Sequence, residues 1–295
     1  MIILQQLING ISLGSIYALI ALGYTMVYGI ILLINFAHGN ILMVGAYTAF
    51  FVLVGIGTGA GAWGMVLAFL AAMIVCMIFG VTIERLAYRP LRTAPRLNAL
   101  ITAIAVSLVL ENGAQLLPFI GPNPRSFHEH APAVVNFNFG GIIISNINII
   151  VITLSALLMI VLNYVVNHTK SGKAMQAVSF DKQAASLMGI SVNRTIAYTF
   201  AIGSILAGAG GVLYIMIFPS LSPTMGMMPG LKAFIAAVLG GIGSIPGAML
   251  GGFILGITQA FARGVFADAI TFAILIVVLL FRPTGILGKK TRIKV

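Results

Sequence analysis

Apolar residues run along this chain in stretches longer and more uniform than a half-buried helix or strand would need. The first extends from about Leu7 to Leu33, with Gly23 and Gly29 placed to bend it. Others follow at about Ile41 to Val54, Met65 to Ile83, Leu97 to Leu117, Ile147 to Val166 and Ile196 to Phe218. Shorter runs end at Leu239, Phe261 and Leu280. A helix needs roughly 20 apolar residues to cross the hydrocarbon core of a bilayer. The pattern predicts an all-α polytopic membrane bundle, one domain over residues 1–295, with eight or nine transmembrane or re-entrant helices. The short pieces after 219 read equally as full spans or as re-entrant halves.

Three kinds of polar segment interrupt the runs. "ERLAYRPLRTAPR" (84–96) is basic. The stretch 120–145 begins "IGPNPRSFHEHAPAVV", and its three prolines and several asparagines predict an irregular loop or a short hairpin. "SGKAMQAVSFDKQAASLMGI" (171–190) reads as one helix, with Ser171 as N-cap and Gly189 at its end. Ala174, Ala177, Val178, Ala184, Ala185 and Met188 recur at three- and four-residue steps and give it one narrow face of mostly small apolar side chains. A helix lying on lipid would carry Leu, Phe or Trp on that face. Alanines suit close approach by another protein's groove, although a plain connector has the same pattern.

Charge settles how these segments are arranged. Only 7% of the 295 residues are charged, against about a quarter in soluble domains, so lipid must serve as most of the solvent. The formal net charge is nonetheless +11. Arg85, Arg89, Arg92 and Arg96 form one basic cluster and Lys170, Lys173, Lys182 and Arg194 a second. Arg282, Lys289, Lys290, Arg292 and Lys294 form the C-terminal tail, leaving Arg125, Lys232 and Arg263 elsewhere. Basic residues gathered in alternate loops mark the cytoplasmic side. The two basic loops and the C-terminus are therefore expected in the cytoplasm of a multi-pass inner-membrane protein, and 120–145 outside. Counting spans between the two loops gives the same sides. This arrangement argues against a nucleic-acid partner. Cys76, the single cysteine, reads as a small buried apolar residue. "MIILQQLINGISLGS" lacks the basic start of a cleaved signal, so the first span is expected to be retained.

The order "SGKAMQAVSFDKQAASLMGI–SVNRTIAYTF" resembles the coupling-helix region of ATP-binding-cassette importer permeases, and above all the branched-chain amino acid permeases of the LivH type. "NGISLGSIYALIALGYTMVYGI" (9–30), "INFAHG" (34–39), "KAFIAAVLGGIGSIPGAMLGG" (232–252) and "RPTGILG" (282–288) are similar to the same family, so the likeness covers most of the chain outside 120–145. It implies separate ATPase subunits gripping the coupling helix through Ala174, Ala177, Asp181, Ala184, Ala185 and Gly189. It further implies a second, related permease subunit, an extracytoplasmic binding protein that delivers ligand, and alternating access for branched-chain amino acids. Asp181 and Gly189 match the family, whereas Asn40 and Phe180 stand where members usually carry acidic residues. Related permeases carry urea, short amides or other amino acids, and Asn40 leaves those substrates open.

No phosphate-cradling G-x-x-x-x-G-K-[ST] occurs, so an ATP-driven cycle would need its nucleotide-binding subunit elsewhere. The chain is not expected to be an enzyme or to bind a cofactor. Polar residues in hydrocarbon usually face a bundle interior or a water path. On that ground Asn35, His38, Asn40 and Glu111 are candidates for the pathway or gate, together with Gly241 and Gly243. The first three fit a capped cytoplasmic turn equally well, and Glu111 an interhelical hydrogen bond. Asp268 and Arg263 are expected at the outer interface. "HEH" (128–130) supplies too few ligands for a closed metal site. An ion-coupled carrier is a second reading, resting on Glu111 and the helix breaks. An intramembrane enzyme would need a nucleophile beside His38, and its own span offers none.

Overall fold

The computed structural model describes residues 1–31, 35–57, 61–92, 94–129, 131–262 and 265–288. His130, Arg263 and the tail residues Lys289, Lys290, Arg292 and Lys294 lie outside them. Helix α1 (Ile2–Ile31) is the axis of the bundle and runs without a break at Gly23. It has no polar face and is buried continuously from Gly14 through Val27, as befits a helix surrounded by others. Helix α10 (Ile245–Phe261) lies along it, with Gly252 facing Ala18 and Gly256 facing Gly14 so closely that a Cβ on either would overlap backbone. Helix α8 (Val192–Ile217) crosses it where Gly203 meets Gly23. Hydrocarbon gives helices no hydrophobic reason to associate, so small residues that allow dense van der Waals contact hold such crossings together.

Helices α2 (His38–Ile56) and α3 (Gly61–Ile83) pack against α8 and each other. A π-helical turn, Glu84–Tyr88, extends α3. Helices α4 (Arg96–Leu116) and α5 (Asn146–His168) are peripheral, leaving Ile101, Val109, Leu157 and Ile160 exposed as lipid-facing side chains would be. After α8 come α9 (Met227–Gly240), α10 and α11 (Val265–Phe281). Six described helices are long and apolar enough to cross a membrane, and three shorter apolar ones bring the number to nine, the upper end of the expected range.

The two ends of the bundle differ. At one, strand β1 (Arg125–Ser126) pairs with β4 (Ser220–Leu221), and β2 (Asn136–Phe139) with β3 (Ile142–Ser145). The segment expected to be irregular or to hold a hairpin thus holds one. The Gln5 side chain, near the start of α1, both donates to and accepts from the backbone of Ile143. At the other end, Arg92 donates to Asn193 at 2.6 Å and pairs with the buried Glu84. Two short helices, α6 (Lys170–Phe180) and α7 (Lys182–Leu187), lie at this same end.

That pair corrects the single helix expected over 171–190. The N-cap is Thr169, whose hydroxyl accepts from Gly172 N, and not Ser171. Asp181 then adopts an extended backbone, ends α6, and caps α7 by accepting from Gln183 N and Ala184 N. Aspartate favours an N-cap over a helix interior because its carboxylate satisfies free amides. Gly189 does end the second helix. At φ +80 it lets its own N–H reach Ser186 O while Ile190 N–H reaches Ala185 O, a paired C-terminal closure that needs a left-handed residue.

Candidate functional site

Helix α2 begins inside the bundle. Gly39 touches both Gly226 and Gly230, so the N-terminus of α2 meets the N-terminus of α9. A methyl group on Gly39 would overlap Gly226 O, and one on Gly226 would overlap Gly39 O. His38 packs against Gly23, midway along α1, where Gly203 of α8 also passes. Helix α9 therefore starts at mid-bundle, which favours the re-entrant reading of that short piece. Two helix N-termini meet in the interior, and most of their amides already donate within the chain, His38 N to Asn35 O, Met227 N to Thr224 O and Gly230 N to Gly226 O.

Beside this junction is a cleft of about 310 Å³ between α4 and the bodies of α2 and α9, within the range of roughly 300–1,000 Å³ typical of small-molecule sites. Phe36, Ile104, Leu108, Met227 and Leu231 give it apolar walls. Asn40, Ser107 and Glu111 add the polar groups. Asn40 is 2% exposed and donates its Nδ2 to Ser107 O at 2.6 Å and Ser107 Oγ at 2.7 Å, tying α2 to α4. Glu111, one helical turn beyond Ser107, has no hydrogen bond or ion pair among the described residues. The interhelical hydrogen bond considered for it is not made.

Asn35 and His38 are likewise buried, at 2% and 1% exposure. The capped turn expected there is present, with His38 N–H donating to Asn35 O, but it is buried in the bundle. Tyr88 donates its hydroxyl to Asn35 Oδ1 at 3.0 Å, and Ala37 N–H donates to the same oxygen. His38 stands edge-on to Tyr24 at 4.6 Å. Asn35 Nδ2 and His38 Nε2 have no partner among the described residues. Asn35 and His38 thus sit behind the cleft, below the α2 N-terminus, whereas Asn40 and Glu111 line it. Gly241 and Gly243 belong elsewhere. Both have positive φ, and Gly241 is pressed against Gly288 and the Thr284 carbonyl where the segment after α11 folds back onto the end of α9. Gly243 stands beside Gly29 at that same end.

The α6–α7 segment presents a different surface from the one its periodicity suggests. Gly172, Met175, Val178 and Ala185 face the bundle and are buried, Ala174 and Ala177 are half-buried, and Ala184 is exposed along with Asp181 and Gly189. Outward stand Phe180 at 90%, Leu187 at 88% and Met188 at 82% exposure. Large apolar side chains held this far from any described neighbour form a patch suited to a partner. Lys182 lies near Arg92, and burial together with that cation pushes its ammonium below the usual lysine range. The first and second basic clusters therefore share one end.

Asp268 makes a contact the sequence does not suggest, pairing with Lys232 of α9 at 2.7 Å and joining α11 to α9. The sequence alone does not single out Tyr24, Ser107, Gly226 and Gly230, which enter the cleft only through tertiary contact. Ser107 does carry one signal, its four-residue spacing from Glu111 on the same helix face. Among the described residues no group of three His, Cys, Asp or Glu side chains converges as metal ligands would.

Residues 6–281 match the family described as branched-chain amino acid transport system / permease component. The chain is 46% identical over 300 residues to the high-affinity branched-chain amino acid transport system permease protein BraD of Pseudomonas aeruginosa, covering 97% of this chain and 96% of that one. It is 44% identical to the corresponding permease protein LivH of Escherichia coli over the same shares. A probable LivH of Methanocaldococcus jannaschii is 29% identical, covering 95% of this chain and 91% of its own. No solved structure matches significantly. With nearly the whole length matched by the family and by relatives of nearly the same size, the chain belongs to the branched-chain amino acid transport permeases.

Proposed function

We propose that this chain is one transmembrane subunit of an ATP-driven importer in a bacterial inner membrane, passing branched-chain amino acids to the cytoplasm by alternating access. ATP is used by separate ATPase subunits, and the chain itself binds no cofactor. The basic end, carrying α6 and α7, is the cytoplasmic end, and the β2–β3 hairpin receives an extracytoplasmic binding protein. A second, related permease completes the pathway.

The observation that carries this reading is the exposed trio Phe180, Leu187 and Met188 on a capped segment at the basic end. A helix lying on lipid would carry such side chains as a stripe along one face, whereas these three stand at the ends of α6 and α7. Their position, and the packing of Met175 and Val178 into the bundle, supports a lever that an ATPase can push. The mostly apolar cleft with few ionisable groups supports a small apolar amino acid as cargo.

Proteoliposomes holding the complete complex, with binding protein outside and ATP inside, should accumulate leucine. Uptake that requires an ion gradient and ignores ATP would replace this reading with an ion-coupled carrier.

A further inference from the structure

The chain between α8 and α9 is not helical, yet it descends from the β-strand end of the bundle to the interior start of α9. Irregular backbone at such depth is tolerated only where protein buries it or it lines a cavity. We propose that this descent and the loop after α4 together form the gate that closes the cleft on its outer side. The proposal rests on the importer reading above, which makes the β-strand end extracytoplasmic, and it adds the residues that open and shut.

Three observations converge. The first is position. Each segment that lines the cleft continues outward into one buried apolar cluster: α2 at Tyr47, α4 at Ala114 and the turn after it at Ile120, and the chain before α9 at Leu221. Phe127, fully buried, completes this plug, which sits where a ligand would enter from outside. The second is a clamp across the plug. Strands β1 and β4 pair through only two residues each, Arg125 with Leu221 and Ser126 with Ser220, and Phe127 N–H donates to Pro219 O at 3.0 Å. Arg125 holds the loop side, donating Nε to Ile120 O at 3.1 Å with its guanidinium over the Phe51 ring. A ladder this short is marginal by itself, so it can part without unfolding a helix. The third is the Tyr47 hydroxyl, buried in the plug with no partner among the described residues. An orphaned buried hydroxyl disfavours the closed state, and water entering an open gate would satisfy it. Strand β1 shares its loop with the β2–β3 hairpin, so a protein docking on the hairpin acts on the clamp.

Ser126 and Ser220 face each other across the clamp and are both exposed, and the single native cysteine, Cys76, is buried. Facing residues of an antiparallel pair lie within disulfide reach. The test uses proteoliposomes holding the complete complex, with binding protein outside and ATP inside. The double variant Ser126→Cys/Ser220→Cys should take up leucine like wild type when reduced. Oxidation should cut that uptake by at least about tenfold, the scale of one crosslink's hold on a conformation, and reduction should restore it. Each single variant should ignore the oxidant. Tyr47→Phe, which removes the orphaned hydroxyl, should raise the unfolding temperature of the complex yet slow uptake about fivefold. A merely structural hydroxyl would give the first change without the second. No disulfide under oxidant, a complete disulfide with undiminished uptake, or wild-type uptake by Tyr47→Phe would overturn the gate and leave the importer. Absence of ATP-dependent uptake in the wild type would remove the importer reading as well.

Discussion

At Gly39 the chain has no room for one further carbon. The α2 and α9 N-termini touch there through backbone alone, and a Cβ would overlap the Gly226 carbonyl. Gly39→Ala should therefore destabilise the bundle by about 1–3 kcal/mol, the usual cost of overpacking, and lower the unfolding temperature of the purified complex. Gly243→Ala meets open space and differs only in its positive φ. Its cost should be about 1–2 kcal/mol of backbone strain, read by the same measurement. Polarity in an apolar run is enough to single out Asn35, His38, Asn40 and Glu111 from the sequence. Division of labour among them is not legible there, because it depends on which helix each one faces. Asn40 reaches α4, while Asn35 reaches Tyr88 at the end of α3. Ala185 shows the same limit. Its spacing places it on an outward alanine face, yet it is 4% exposed and packs inward. A tryptophan at 185 would disrupt the chain's own packing before it touched any partner, so Leu187 is the better probe of docking.

Asp181 divides what periodicity reads as one helix. Alanines on both sides keep to three- and four-residue steps, so apolar spacing alone continues straight through it. Only the preference of aspartate for capping marks the break. Removing that cap by Asp181→Ala should cost about 0.5–2 kcal/mol of local stability and speed hydrogen exchange at the Gln183 and Ala184 amides. Asp181→Asn, which keeps an acceptor, should leave exchange nearly as slow. The break also shapes the outward surface of this segment. It sets Phe180 at the end of one helix and Leu187 at the end of the next, both clear of the bundle. Phe180 is visible in the sequence only as a departure from the family's usual acid. The long helices are far easier to read, since six of them rest on hydropathy over whole spans. Helix α9 is ambiguous because its length fits a half-span, and its interior start depends on glycine contacts made by α2.

Across the whole molecule, charge and packing agree on two unlike ends. Arg92 bridges to Asn193 and lies near Lys182, so both described basic clusters meet at the end that carries α6 and α7. The hairpin and the start of α1 occupy the other. Between them lie two interior helix starts and a cleft, while the Lys232–Asp268 pair ties α11 to α9. On the function proposed above, force from ATP hydrolysis enters at the basic end through the exposed apolar trio. Leu187→Cys tests this most directly, because the chain's single native cysteine, Cys76, is fully buried and contributes no competing surface thiol. In intact membranes, a short bifunctional reagent should join the introduced thiol to the ATPase subunit, with a yield that changes when ATP is added. Labelling of that thiol from the outside of sealed cells, or crosslinks only to this chain's own helices, would contradict the account.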